Sequence, residues 1–324
     1  MQGFFTDMIS VKPLVEAAEA RIKAYVRETP LERSDVLSDL CGAEVHLKLE
    51  NLQRTGSFKV RGAFNRLLSL SDEERARGIV AASSGNHGAA VALGMSTCGA
   101  TGVIFVPEAA SRAKVDKIRR LGGEVRTAGA DSGATEIFAR AYAAEHGMTY
   151  LSPYNDELVI GGQGTIGAEI FRHLPSVEAV VASIGGGGLI SGVAGYLKAV
   201  KPSVFAVGAS ARNSMTMSAS MRAGHIVETE HLPTLSDGTA GGVEPGAVTF
   251  DLCRSLVDEF VDIDEGDIRL ALRMFIDSHA QLCEGAAALA IAGLLASKER
   301  LRGKNVAVVI CGANIAADTL KEAL

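Results

Sequence analysis

Val177-Glu178-Ala179-Val180-Val181-Ala182-Ser183-Ile184, then Gly185-Gly186-Gly187-Gly188, then Leu189-Ile190-Ser191, is the stretch whose reading decides the fold. It reads as a strand, a flexible turn and the start of a helix. Outward from it the same order recurs: an apolar run, a Gly- or Ser-rich turn, a segment with helical spacing. Such runs occupy 79–83, 101–107, 124–129 and 149–153, and resume at 204–210 and 305–312. Strands alternating with helices predict an α/β protein with parallel sheets covered by helices. Near the start, Ser10 and Pro13 signal a helix whose apolar face would be Leu14, Ala17, Ala18 and Ile22.

The 324 residues are 47% apolar and 22% charged, with a net charge of −6. That balance predicts an ordinary globular chain and argues against a nucleic-acid partner, which would require clustered Lys and Arg. Cys41, Cys98, Cys253, Cys283 and Cys311 are scattered and lack a C-x-x-C pair. Neither a disulfide framework nor a thiolate zinc site is indicated, and a reducing, cytoplasmic setting is expected. Residues 1–12 contain Asp7 and no apolar core, so a signal peptide is not expected. The uncharged window 179–197 approaches membrane-span length, but its glycines divide it into strand and helix, so no membrane segment is expected.

Parallel sheets bind ligands at the carboxyl ends of their strands, which directs attention to the turns that follow them. Gly185, Gly186, Gly187 and Gly188 allow several backbone N–H groups to converge on one anion at a helix start, where the dipole adds positive character. A phosphate is the natural guest. A dinucleotide is less suited, because the next strand ends at Ser210 instead of an acidic ribose-binding residue. Ser83-Ser84-Gly85-Asn86-His87-Gly88 precedes an apolar helix at 89–95 and forms a generic nest for a carboxylate. His87 alone reads more readily as a structural hydrogen-bonder than as a catalyst. Gly56-Ser57-Phe58-Lys59-Val60-Arg61-Gly62-Ala63 opens a helix after the strand-like 44–50. A lone lysine there would be a surface residue, but in a first helical turn the dipole disfavours the ammonium and favours the free amine.

Together and in this order, these segments resemble the pyridoxal-phosphate enzymes of the tryptophan-synthase-β fold type, in particular the serine/threonine dehydratase and serine racemase branch. The resemblance extends over nearly the whole chain. It includes Thr29-Pro30-Leu31, Leu47-Lys48-Leu49-Glu50, Gly162-Gln163-Gly164-Thr165, Glu284-Gly285-Ala286-Ala287 and Cys311-Gly312-Ala313-Asn314. It implies two domains, each a mostly parallel twisted sheet flanked by helices. Residues 1–76 and 155–324 would form a large cofactor-binding domain, with 77–154 inserted as a small one.

The resemblance further implies that Lys59 carries pyridoxal phosphate as a Schiff base and later acts as the base at the substrate α-carbon. Phe58 would pack near the ring, Asn86 would bond its phenolic oxygen, and Gly185, Gly186, Gly187, Gly188 and Leu189 would hold the phosphate. Ser83, Ser84, Asn86 and His87 would receive the substrate carboxylate. Cys311 would face the ring nitrogen, and a thiol cannot protonate that nitrogen as an aspartic acid does, which favours β-elimination over transamination. The expected reaction converts L-threonine or L-serine to a 2-oxo acid and ammonia, in a protein that is a homodimer in this family.

Ser84 keeps a second reading open, because racemase-type members carry a serine there as acid/base on the face opposite the lysine. Against it, Ser210 and Thr216 stand where those members bind a divalent cation through carboxylates, so no such metal site is expected. Dehydration of 3-hydroxyaspartate or an ectoine-derived acid is a further alternative, and a non-catalytic cofactor-binding scaffold is the reading from a different class. The chain runs only about ten residues past Asn314, so no appended regulatory domain is expected. Asp237 and Glu244 in the 237–245 loop are expected either to touch a polar substrate side chain or to cap the loop.

Overall fold

Ala179, Val180, Val181 and Ala182 are fully buried, so the strand they form is covered on both faces. This is the signature of an inner parallel strand, and it sets the architecture around it. The structure is a computed structural model that describes residues 9–324; the reading of residues 1–8, Asp7 included, lies outside them. Ten strands are described: β1 (Leu31–Arg33), β2 (Glu44–Lys48), β3 (Ile79–Ala82), β4 (Gly102–Val106), β5 (Glu124–Thr127), β6 (Thr149–Tyr150), β7 (Ala179–Ser183), β8 (Phe205–Ala211), β9 (Glu259–Ile263) and β10 (Asn305–Val309). They form two sheets, of order β1-β2-β10-β7-β8-β9 and β5-β4-β3-β6. Only β1 is antiparallel to its neighbour, pairing Glu32 with Leu47. At the centre, Val306 of β10 pairs with Val45 on one side and Ala179 on the other.

The chain is thus α/β with two parallel-sheet domains flanked by helices. The helix Gly188–Val200 packs against Glu157–His173, which also contacts Val11–Ile22 and Lys59–Leu68. The apolar helix Gly285–Ala296 covers β7 and β8. Val60, Ala63, Phe64 and Leu67 of Lys59–Leu68 share a core with Ile79 and Ala81 of β3 and with Ala90 of the helix Asn86–Cys98 that follows it. The helix Lys59–Leu68 therefore joins the two sheets. The first helix buries Val11, Val15, Ala18 and Ile22, whereas Leu14 is half-buried and Ala17 exposed. The sequence had placed the stripe partly on the wrong face, because Val11 and Val15 set the i, i+4, i+7, i+11 repeat that meets the helix behind it. Among the described residues, no helix is long and apolar enough to cross a membrane.

Beneath the site lies a buried ionic cluster. Arg61 and Lys48 are fully buried. Arg61 Nε and Nη2 donate to the two Glu50 oxygens at 2.8 Å each, and its Nη1 and Nη2 donate to Glu169 at 2.6 and 2.9 Å. Lys48 pairs with Glu169 and donates to Thr29 O at 2.6 Å. Two cations and two carboxylates leave the cluster neutral. It ties the carboxyl end of β2, the helix Glu157–His173 and the first turn of Lys59–Leu68 into one unit.

Arg61→Leu would leave Glu50 and Glu169 buried against Lys48 alone. The stability measured by chemical denaturation is expected to fall by about 3–5 kcal/mol, the usual cost of stripping one partner from a buried pair. A loss below about 1 kcal/mol would contradict the view that this cluster anchors the helix.

Candidate active site

The carboxyl ends of β2, β7 and β10 in one sheet and β3 in the other feed their turns into one cavity of about 430 Å³. Phe58, Lys59, Ser83, Ser84, Asn86 and His87 line it, as do Gly185, Gly186, Gly187, Gly188, Leu189 and Cys311. Every residue singled out in the sequence as a site residue is therefore brought together, although the chain separates them by up to about 250 positions.

Lys59 is the first residue of the helix Lys59–Leu68, with Phe58 at its N-cap. Its Nζ donates to Pro153 O at 2.8 Å and lies 5.1 Å from the centre of the buried Phe58 ring. Burial pushes the amine down to about 8, with Cys311 and Glu284 acting against it. Phe58 N–H donates to Cys311 O at 3.0 Å, and Ser57 bridges to Gly312, so the lysine segment is stitched to the end of β10.

On the other wall, the helix after β7 begins at Gly188, with Gly187 as its N-cap at φ 87°. A side chain at Gly187 would be strained there and would meet Cys253 Sγ at 2.8 Å. One at Gly186 would overlap the Tyr154 ring. The loop is thus kept bare of side chains, and its first-turn N–H groups face the cavity as an anion cradle.

The turn after β3 leads directly into the helix Asn86–Cys98, three residues earlier than the sequence indicated, because Gly85 serves as its N-cap. Asn86 and His87 therefore stand in the first helical turn, where backbone N–H groups lack helical partners. Ser83 Oγ accepts from Gly85 N–H at 3.1 Å, and half-buried Ser84 lines the same wall. The His87 side chain is held at one ring nitrogen. Its Nε2 bonds Leu151 O at 2.9 Å, and burial, with Lys59 nearby, drives its pKa down to about 3, so the ring is neutral and donates. The His87 backbone N–H and Nδ1 are not engaged by that bond.

Glu284 carries a role that the sequence did not mark. It is the N-cap of Gly285–Ala296, yet its side chain makes no capping bond and turns into the cavity instead. Asn86 Nδ2 donates to both its oxygens at 2.9 Å, Asn314 N–H donates at 3.1 Å, and the Cys311 thiol lies 3.7 Å away. Burial raises the Glu284 pKa, partly offset by the Asn86 bond. Burial also lifts the Cys311 thiol far above its ordinary value, so it is a neutral S–H. The available signal was a carboxylate placed directly ahead of a helix without charge.

Asp237 lines the cavity, and one Glu244 oxygen is left without a partner. Asp237 pairs with Lys114 at 2.7 Å and Glu244 with Arg140 at 2.7 Å, so both clasp the loop to helices of the smaller domain. Partners more than 100 residues distant could not be read from the loop. Ser210 is buried on β8 and Thr216 bonds Thr229 at 2.7 Å. Among the described residues, no group of three His, Cys, Asp or Glu is placed to hold a metal.

A family model described as pyridoxal-phosphate dependent enzyme matches residues 22–312. The chain is 43% identical over 314 residues to an L-threonine ammonia-lyase of Thermotoga maritima, covering 95% of this chain and 76% of that protein. Its fold superposes with a TM-score of 0.91 on the processed form of threonine deaminase isoform 2 from Solanum lycopersicum, at 34% identity and covering 97% and 92% of the two chains. Maize serine racemase superposes with a TM-score of 0.90 at 30% identity, covering 96% and 95%.

The lowered Lys59 pKa makes a direct expectation. Labelling of Lys59 by an amine-directed acylating reagent, read by peptide mass, is expected to rise through a midpoint near pH 8, against ~10.4 for an ordinary lysine. A Lys59 midpoint equal to that of the exposed lysines would contradict the desolvated amine.

Proposed function

The chain belongs to the pyridoxal-phosphate dependent enzymes, and from that membership we propose that it is an ammonia-lyase converting L-threonine, L-serine or both to the 2-oxo acid and ammonia. The observation that carries this reading is a lysine of lowered pKa facing a side-chain-free glycine turn across one cavity. These residues fit the cofactor: an amine free to attach to an aldehyde, a cradle for a phosphate and a neutral thiol at the end of β10. Pyridoxal phosphate, when bound, supplies the electron sink that stabilises negative charge at the substrate α-carbon.

The chain's own residues supply the rest. Lys59 Nζ would hold the cofactor and would be the base for the α-proton of the substrate; at neutral pH a pKa near 8 leaves a usable fraction unprotonated. Gly185, Gly186, Gly187, Gly188 and Leu189 hold the phosphate through backbone N–H groups. Ser83, Ser84 and the backbone N–H groups of Asn86 and His87 receive the substrate carboxylate, while the His87 ring buttresses the turn through Leu151. Asn86 Nδ2 would bond the cofactor's phenolic oxygen. Cys311 keeps its proton, and a thiol at the cofactor's ring nitrogen would not protonate it, which would disfavour transamination. Loss of the β-hydroxyl as water would leave an enamine, which on release tautomerises to an imine; uptake of one water by that imine gives 2-oxobutanoate from threonine and pyruvate from serine, each with one ammonia.

The unit 77–154, inserted between 1–76 and 155–324, is the small domain in this reading, and it presents the Ser83–His87 turn to the lysine. Support comes from β3 to β6, which lie between Ile79 and Tyr150. A homodimer is proposed with it, supported by exposed Leu52 and Leu282 beside the Asn51–Leu282 contact, and a cytoplasmic setting, supported by five free cysteines. Racemisation remains a second reading, because the Ser84 hydroxyl lines the cavity and a serine racemase shares the fold.

A screen of β-hydroxy amino acids for 2-oxo acid and ammonia, with chiral analysis of residual substrate, is expected to give release from threonine or serine that Lys59→Ala abolishes. Ser84→Ala is expected to remove any racemisation while 2-oxo acid release continues at a raised KM, because Ser84 is one of several groups that receive the carboxylate. Release of no 2-oxo acid from either substrate would overturn the assignment.

A further inference from the structure

We propose that Glu284 is a positioning residue that orients the Asn86 amide and engages the Cys311 thiol, and so governs two contacts to the cofactor ring at once. The inference rests on the placement of Asn86 and Cys311 given under Proposed function. Its ground is a chain of hydrogen bonds whose polarity can be read without ambiguity. Lys117 Nζ can only donate, and it reaches Asn314 Oδ1 at 2.5 Å and Thr55 O at 2.9 Å. That fixes Asn314 Oδ1 toward the lysine and its Nδ2 toward three acceptors: Thr55 O at 2.9 Å, Gly56 O at 3.3 Å and Asn86 Oδ1 at 2.6 Å. Asn86 is then fixed in turn. Its oxygen faces Asn314, and its Nδ2 faces Glu284 at 2.9 Å to each carboxylate oxygen.

Asn86 Nδ2 stands equally far from both Glu284 oxygens, as a single N–H shared between them would, and that sharing would leave the second N–H to the cavity that Asn86 lines. Every hydrogen bond that Glu284 accepts comes from a donor: Asn86, the Asn314 N–H and the Cys311 thiol. Three donors and no acceptor select an ionised, acceptor-only carboxylate. The same carboxylate draws the Cys311 S–H toward itself, while Ser183 Oγ donates to Sγ at 3.8 Å. The thiol proton therefore leans away from the ring. The site is tightly closed around Glu284, since a side chain at Gly312 would meet its Oε1 at 2.6 Å. A carboxylate diverted from its capping position, enclosed and surrounded by donors, has a positional task.

Glu284→Gln tests this. Its amide offers one acceptor and brings an NH₂ that has no acceptor to meet, so either Asn86 turns over and loses Asn314 or a donor stays unsatisfied. With pyridoxal phosphate bound, the visible band of the holoenzyme is expected to shift in wavelength or in pH midpoint by about one unit, and the cofactor Kd to rise about tenfold, with the melting temperature nearly unchanged. Glu284→Asp is expected to recover part of both. If Glu284→Gln does not fold, Asn314→Ala releases Asn86 from its other side and carries the same spectral and affinity readouts. A wild-type band with variants indistinguishable from it in spectrum, pH midpoint and Kd would overturn the proposal alone. A wild-type protein that develops no visible band would overturn the functional reading beneath it as well.

Discussion

Arg61 takes a guanidinium into the interior, and the structure is organised around meeting that charge. Burial alone pulls its pKa down, but Glu50 and Glu169 outweigh it and hold the group firmly protonated. Two residues earlier, Lys59 enters a comparable enclosure with only a backbone carbonyl within hydrogen-bonding reach, and its amine falls to about 8. The contrast separates structure from chemistry. A buried cation with carboxylate partners becomes a fixed strut, whereas one without them becomes a base. Because Arg61 stands on the same helix, the strut also sets where the base points.

The second constraint is closeness of approach. Four strand ends feed turns into one cavity, and the glycine turn can line it only because a side chain at Gly186 would overlap Tyr154 and one at Gly187 would meet Cys253. Tyr154 and Cys253 are packed up to the bare backbone on its other side. On another wall, donors surround Glu284. The pairs Asp237–Lys114 and Glu244–Arg140 tie the 237–245 loop to the helices Arg112–Arg120 and Ser132–Glu145.

Much of this was legible in the sequence, and the rest was hidden for identifiable reasons. Strands β3, β4, β7, β8 and β10 announced themselves as apolar runs, because inner parallel strands are covered on both faces; β5 and β6, exposed or half-buried edges of the smaller sheet, were marked by the recurring strand, turn and helix order. β1 has three residues and β9 is a half-buried edge, so neither gives a continuous apolar run. The motif turns at Lys59, the glycine loop and Ser83 to His87 all line one cavity, although the helix after β3 starts at Asn86, ahead of its apolar run. Glu284 escaped because a carboxylate before a helix normally reads as a cap, and its actual partners arrive from Asn86, about 200 residues away, and from Cys311 and Asn314. His87 was ambiguous as a residue type, and only the Leu151 carbonyl decides that its ring is structural.

The central claim is that Lys59 is the residue to which the cofactor attaches. Protein loaded with pyridoxal phosphate, reduced with borohydride, digested and analysed by peptide mass tests it most directly. The account predicts that the reduced cofactor is found on Lys59 and is absent from Lys59→Ala. Label distributed over other lysines, or retained in full by Lys59→Ala, would contradict it.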